Sequence, residues 1–342
     1  MTSRDSRSPL LPGERALIDR IRRRLPTPPT SILVGPGDDA AVVVPTRGAL
    51  QVLTTDAVVE RVHFDRRFSS LSDVGYKALA VNASDIVAMG GTPELALLSL
   101  MLPEETTLDD VDALLDGVLE MAATARMSVV GGNLSRSPGP LIVDVTATGS
   151  VRPRRVLMRS GGRPGDELYL SGSIGAAAAG LGWLRTGEPD DPPGRDAGDM
   201  AACVQRHRRP EPRVRLGMLL GRNRAASACM DLSDGLADAV RQIAEASGTG
   251  AIIDSAALPI EPAAAAWFRG QGIDPVTAAV SGGDDYELLF TVPRTFKGRL
   301  RAVKSEARGL PLTKVGELTA GRDLLLARAV GTELLPQGFR HF

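Results

Sequence analysis

Apolar residues recur at intervals of three and four through LSDVGYKALAVNASDIVAMGG (71–91), a spacing that predicts a helix. Ser72 can cap its start, and Gly90-Gly91 stop it. The period then changes. ELALLSLML (94–102) is a nearly unbroken apolar run and reads as a buried strand. TLDDVDALLDGVLEMAATARM (107–127) returns to helical spacing, with acids in the first turn where the helix dipole favours them. GPLIVDVTATGSV supplies another strand near 141–149. Upstream, after the Pro-rich PTPPT (26–30), runs at 40–44 and 50–54 read as strands broken by a turn from Pro45 to Gly48.

VRPRRVLMRSGGRPGD (151–166) interrupts this alternation and marks a boundary between domains at 14–150 and 151–342. The second half opens with the strand ELYLSG and the small-residue helix IGAAAAGLGWL, followed by a polar insertion (187–200) that reads as a mobile loop. DLSDGLADAVRQIAEASG (231–248) shows a strand exit, Ser233 as N-cap and a helix closed by Gly248. YELLFTV (286–292) and a strand near LLLARAV complete an α+β half behind an α/β one. No short-period repeat is present, only two similar acidic turns in the two halves.

At 342 residues the chain exceeds what one hydrophobic core usually serves, which agrees with two domains. With 43% hydrophobic and 24% charged residues it reads as a soluble globular protein. A net charge of -1 gives no long-range pull toward nucleic acid or membranes, so an anionic ligand must be caught locally. The arginine-rich first 25 residues lack the apolar core of a secretory signal, and no stretch approaches the roughly 18 apolar residues of a membrane span. Cys203 and Cys229 lie far apart without zinc-site spacing, and a reducing cytoplasm is the expected compartment.

Asp residues recur at turns beside Gly, Ser, Thr or Asn: GDD (37–39), TTD (54–56), SD (84–85), DLSDG (231–235) and GGDD (282–285). Taken singly, each has the ordinary reading of an Asx-turn or helix cap. If several converge, each pair about 5 Å apart repels by roughly 3 kcal/mol at an effective dielectric near 20. Hard divalent cations would offset this, and magnesium suits oxygen ligands when phosphate completes its shell. Within the 72–89 helix, Lys77, Ser84 and Asp85 share one face with Asn82 nearby, which a solvated surface explains equally well.

GGNLSRS (131–137) and SGSIGAAAAG (171–180) read as glycine turns, the second leading into a helix N-terminus that suits phosphate; close Gly/Ala packing is the alternative. Arg159 can clamp phosphate or sit in solvent. His63, in TTDAVVERVHF, is a ligand contact or a structural histidine. No Ser-His-Asp or Cys-His order is discernible. A reaction whose nucleophile is already an anion needs no catalytic side chain, only positioning and neutralised charge.

GDDAAVV, TTDAVVERVHF, KALAVNASDIVAMGGTP, VGGNLSRS, RSGGRPGDELYLSG, MDLSDGLADAV, GGDDYELLFTV and the closing GF-HF, in this order, resemble the thiamine-monophosphate kinase family. The resemblance covers nearly the whole chain from about residue 14. It implies a two-domain PurM-like fold, α/β (α+β): an N-terminal ATP- and metal-binding domain whose mixed sheet joins that of a second subunit in a homodimer, and a C-terminal α/β domain closing over the nucleotide. It implies transfer of the γ-phosphoryl of ATP to thiamine monophosphate, with several Mg2+ ions. By motif, Asp38, Thr54, Thr55, Asp56, Asp85, Asn133, Asp231 and Asp234 are the implied metal shell. Gly131-Gly132, Asn133, Arg159 and Ser233 are implied ATP contacts, and His63, Glu287 and Phe339 implied substrate contacts. Two positions depart from the family pattern: Asn133 stands where Asp is usual, keeping an oxygen but losing a charge, and Arg61 stands where Gly is usual. A related enzyme with another acceptor, or a nucleotide-binding regulator without turnover, is the alternative.

Overall fold

A computed structural model describes residues 13–187 and 197–339. The chain forms two compact units, Met1–Ala83 with Pro93–Ser150, and Ser84–Thr92 with Val151–Phe342. The insertion expected at 187–200 falls mostly outside the described residues, as do the last residues of the GF-HF motif. Among the described residues no helix is long and apolar enough to cross a membrane.

The first unit runs α1 (Glu14–Arg24), β1 (Ile32–Val34), β2 (Val42–Val43), β3 (Leu50–Val59), α2 (Leu71–Ala88), β4 (Thr92–Leu102), α3 (Leu108–Ala125), β5 (Ser128–Arg136) and β6 (Ile142–Val151). The last turn of α2 and the turn after it group with the second unit. β3-β6-β4-β5 form one sheet, and β1 and β2 pair separately. Strict alternation along β6 buries Val143, Val145 and Ala147 on one face. The opposite face leaves Leu53 and Leu97 exposed.

α2 and α3 approach at two glycines. A Cβ on Gly75 would lie 1.9 Å from the Leu114 carbonyl oxygen, and one on Gly117 would lie 1.8 Å from that of Ser72. Only hydrogen at both positions lets the backbones meet. α2 is buried nearly all round, including Lys77, Asn82 and Ser84, so its polar residues do not form the solvated face that the spacing allowed. Its cap is Ser70 rather than Ser72: Ser70 Oγ accepts from the Asp73 N–H at 3.1 Å, and the Asp73 carboxylate accepts from the Ser70 N–H at 3.2 Å. α3 carries the same device, Thr107 with Asp110.

The second unit contains β7 (Glu167–Ser171), α4 (Ala176–Thr186), α5 (Ala197–Arg208), α6 (Val214–Asn223), β8 (Ala228–Asp231), α7 (Leu236–Ser247), β9 (Gly250–Asp254), α8 (Pro262–Gly270), α9 (Pro275–Ser281), β10 (Leu288–Val292), α10 (Lys297–Glu306), β11 (Leu312–Thr319), β12 (Leu324–Ala327) and β13 (Thr332–Leu334). Its sheet has the order β13-β12-β9-β11-β7-β10-β8, with each neighbouring pair antiparallel except β12 with β9. Both faces are covered. Leu168, Leu170 and Leu289 pack with Leu236, Val240 and Ile243 of α7, whereas Tyr169, Leu288 and Phe290 pack with Leu216 and Leu220 of α6 and Leu300 and Val303 of α10. Burial on both sides explains why ELYLS and LLFTV are fully buried rather than alternating.

Two further local readings are corrected. GGN is not a turn: Gly131, Gly132 and Asn133 lie inside β5, paired in parallel with Leu97, Leu98 and Ser99 of β4. A Cβ on Gly132 would sit 1.8 Å from the Leu98 carbonyl oxygen, so that glycine is a condition of strand packing. Ser233 does not cap α7; Gly235, with φ 93, holds that position because a Cβ there would meet the Gly282 carbonyl oxygen at 2.5 Å. Gly248 does close α7, at φ 71.

Candidate active site

In the first unit Asp38 and Asp39 stand exposed on the loop after β1, where the Asp39 N–H donates to Asp38 Oδ1 at 2.9 Å. They line a cavity of about 970 Å3 with Arg22 of α1, Gly132 and Asn133. The Arg22 guanidinium lies against Gly37, a placement that local pattern gave no means to foresee.

On β3 the period of two divides the TTD motif. Thr55 Oγ1 lies 3.2 Å from both Asp144 Oδ1 and the Val145 carbonyl oxygen, on the opposite side of the strand from Thr54 and Asp56. The Thr55 hydroxyl is therefore separated from the Asp56 carboxylate, leaving its main-chain oxygen for any shared ligand. Asn82 of α2 donates to the Asp56 carbonyl oxygen at 3.3 Å, anchoring the strand end.

His63 occupies the turn after β3. The Val59 N–H donates to His63 Nδ1 at 3.1 Å, which leaves the proton of the neutral ring on Nε2. Buried Lys77 holds the same turn by donating to the His63 carbonyl oxygen at 3.2 Å. Arg61 has φ 68, a left-handed conformation that suits the glycine of the family pattern better than a side chain.

In the second unit Asp231 ends β8 and is buried. Ser84 Oγ donates to its Oδ2 at 2.5 Å. Burial pushes the Asp231 carboxyl up to about 7, and the negative charge of Asp85 adds to the rise; the Ser84 hydrogen bond, its own main-chain N–H and the charge of Arg159 act in the opposite sense. Two acids thus repel in a poorly solvated place. The DLSDG loop is tied to the GGDDYE loop by main-chain bonds, Asp284 N–H to the Ser233 carbonyl at 2.7 Å and Tyr286 N–H to that of Leu232 at 2.9 Å. Phe339, half exposed, is fixed on the same loop by its N–H to the Asp234 carbonyl at 3.1 Å.

The GGDD turn answers to two different tasks. Asp285 is buried and accepts from the N–H groups of Gly175 at 2.9 Å and Ala177 at 3.4 Å, occupying the N-terminus of α4 where a phosphate was expected. Burial raises its carboxyl to about 7 against these bonds and the charge of Arg206. Glu287 is also enclosed: Ser171 Oγ donates to it at 2.5 Å, Arg206 donates at 2.6 Å, and Arg213 adds a two-pronged pair. The expected direct contact of Glu287 with substrate does not fit this arrangement, because its oxygens are committed to two arginines. The acid of this loop that remains partly exposed is Asp284, with φ 68.

Among the described residues no three His, Cys, Asp or Glu side chains gather as a metal cluster. The donor set is nevertheless all oxygen, and the mutual repulsion of Asp85 and Asp231 fits a hard cation that takes few carboxylates and completes its shell with water or phosphate.

Residues 37–151 match the AIR synthase related protein, N-terminal domain, and residues 163–326 match the corresponding C-terminal domain. The fold and the site thus define an AIR synthase related protein with both domains in one chain. The thiamine-monophosphate kinase of Bacillus subtilis is 36% identical over 325 residues, 92% of this chain and 94% of that protein. That of Escherichia coli K12 is 37% identical over 314 residues, 90% and 91%. The chain belongs to the thiamine-monophosphate kinase family. Among solved structures, the thiamine-monophosphate kinase of Stenotrophomonas maltophilia K279a aligns with TM-score 0.79 at 36% identity over 91% of this chain and 95% of that one. AaThiL complexed with AMPPCP and TMP aligns with TM-score 0.76 at 33% identity over 96% and 97%. Escherichia coli HypE, 22% identical with TM-score 0.76 over 94% and 97%, shares the fold.

Proposed function

We propose that this chain transfers the γ-phosphoryl group of ATP to thiamine monophosphate, giving thiamine diphosphate and ADP. The observation that carries this reading is the likeness, across 96% of the chain, to AaThiL complexed with AMPPCP and TMP. An oxygen of the substrate phosphate attacks the γ-phosphorus, and the bond from that phosphorus to the β-bridging oxygen breaks. The attacking oxygen is already anionic, so no side chain has to remove a proton; the protein positions and neutralises.

Asp38, Thr54, Asp56 and Asn133 in the first unit, with the main-chain oxygen of Thr55, and Asp85, Asp231 and Asp234 in the second, are the groups that would hold magnesium. Bound magnesium offsets phosphate charge as it develops in the transition state. Arg159 contributes a planar fork for nucleotide phosphate oxygens. Ser233 contributes a hydroxyl, and the β5 main chain at Gly132 and Asn133 lines the cavity beside Asp38. His63 donates from Nε2 to the substrate, a direction set by the bond from Val59. Phe339 offers an exposed ring to the cationic thiazolium, and Asp284 takes the acidic role first assigned to Glu287.

The face of the β3-β6-β4-β5 sheet opposite Val143, Val145 and Ala147, with Leu53 67% exposed on it, supports a homodimer in which a second copy covers it.

Incubation with ATP, magnesium and thiamine monophosphate, followed by separation of products, tests the reading: ADP and thiamine diphosphate appear in equal amounts. ADP without thiamine diphosphate indicates another acceptor, and nucleotide binding with neither product indicates a regulator.

A further inference from the structure

We propose that Gln242 is a positioning residue for Arg159, holding its guanidinium in the direction from which it meets the nucleotide phosphates; this rests on the kinase reading above. The main chain around Arg159 is pinned in several places. Cys229 N–H donates to the Met158 carbonyl at 2.9 Å, and Ser247 Oγ both accepts from the Gly162 N–H at 3.1 Å and donates to the Arg159 carbonyl at 3.4 Å. Only glycine fits at position 161, φ 114, because a Cβ there would lie 2.5 Å from the Ser227 carbonyl oxygen. The side chain has no such enclosure. Arg159 is exposed, and an exposed arginine on a fixed backbone still samples many rotamers.

Gln242, on α7, narrows that choice. Arg159 Nη1 donates to Gln242 Oε1, while Gln242 Nε2 donates to Asp238 Oδ2 at 2.5 Å. Asp238 sits one helical turn before Gln242 and, as a carboxylate, can only accept. It therefore draws the amide nitrogen to itself and turns the amide oxygen toward the guanidinium. A lysine or alanine at 242 has no acceptor to offer. The orientation matters at the site, since the charge of Arg159 acts on the carboxyl of Asp231 at the end of β8. α7 thus grips the 159–162 segment twice, with Ser247 on the backbone and Gln242 on the working side chain.

The test compares the full-length wild type with Gln242→Ala, Gln242→Asn, Arg159→Ala and the double variant Gln242→Ala/Arg159→Ala. Binding of a non-hydrolysable ATP analogue with magnesium is read by calorimetry, alongside KM for ATP and for thiamine monophosphate. Loss of one hydrogen bond to a charged group predicts that Gln242→Ala weakens analogue binding and raises KM for ATP by about 3- to 10-fold. KM for thiamine monophosphate and thermal stability stay near wild type. Because Gln242 acts through Arg159, its replacement adds nothing measurable in the Arg159→Ala background. Unchanged analogue affinity in Gln242→Ala, or a full additive loss in the double variant, overturns the assignment. If the wild type binds the analogue but makes no thiamine diphosphate, the kinase reading fails while the binding comparison still decides the role of Gln242.

Discussion

Asp231 shows how much a site residue can disagree with its own fold. Its carboxyl is raised from an ordinary 3.8 to about 7, so the protonated form suits the folded chain better than the charged one. The stability this supplies is complete below about 3.8 and is lost as pH rises through about 7, a swing on the order of 4 kcal/mol. Metal-free protein is expected to melt at progressively lower temperature between about pH 4 and about pH 7 and to level off above about pH 8, with magnesium reversing the fall. Asp285 titrates in the same direction, so Asp231→Asn should flatten the slope in part and remove most of the magnesium response. Thermal melts across that range check this, and a slope unchanged in the variant would separate Asp231 from the effect. The acids of the GGDDYE loop also mark where sequence stops being legible. Asp284 and Tyr286 both adopt positive φ, at 68 and 50, so the loop is not the extended run that would continue into β10, and burial there does not alternate. Nothing in the letters distinguishes Glu287, enclosed by Arg206 and Arg213 from α5 and the segment after it, from Asp284, which lies beside His207 and keeps part of its side chain exposed.

Elements were easier to read where the signal is local. The periods of α2, α3, β4 and β6 follow directly from residue spacing, and Gly248 ends α7 where expected. Misreadings occurred where a residue answers to something distant in the chain. Gly132 serves the backbone of β4, Gly235 serves the Gly282 carbonyl, and Asp285 serves the start of α4. The crossing of α2 and α3 is of the same kind. Gly75→Ala or Gly117→Ala would press a methyl group into a facing carbonyl at less than 2 Å, so the helices must separate. Each substitution is expected to cost about 3 kcal/mol or more, visible as a lowered urea midpoint. Ala at Gly298, where a Cβ meets nothing within 4 Å, is the matched control and should be nearly silent.

For the molecule as a whole, two units were anticipated from length and from the Pro/Arg/Gly-rich stretch, whereas the membership of Ser84–Thr92 was not. The proposed dimer is tested on the sheet face opposite Val143, Val145 and Ala147. Leu53→Lys puts a charge where a second copy would bury leucine, and light scattering should report monomer with secondary structure retained. A dimer that survives this change would place the contact elsewhere. The grouping of Ser84–Thr92 has its own consequence for modularity. Val87 and Ala88 fill the same core as Leu216, Leu220 and Phe290, and the Val87 carbonyl lies where a Cβ on Gly217 would clash. Severing the chain after Ser150 would strip the larger piece of part of its own interior. The two halves are therefore not exchangeable cassettes, and any chimera with a relative must carry the last turn of α2 along with the partner it fits.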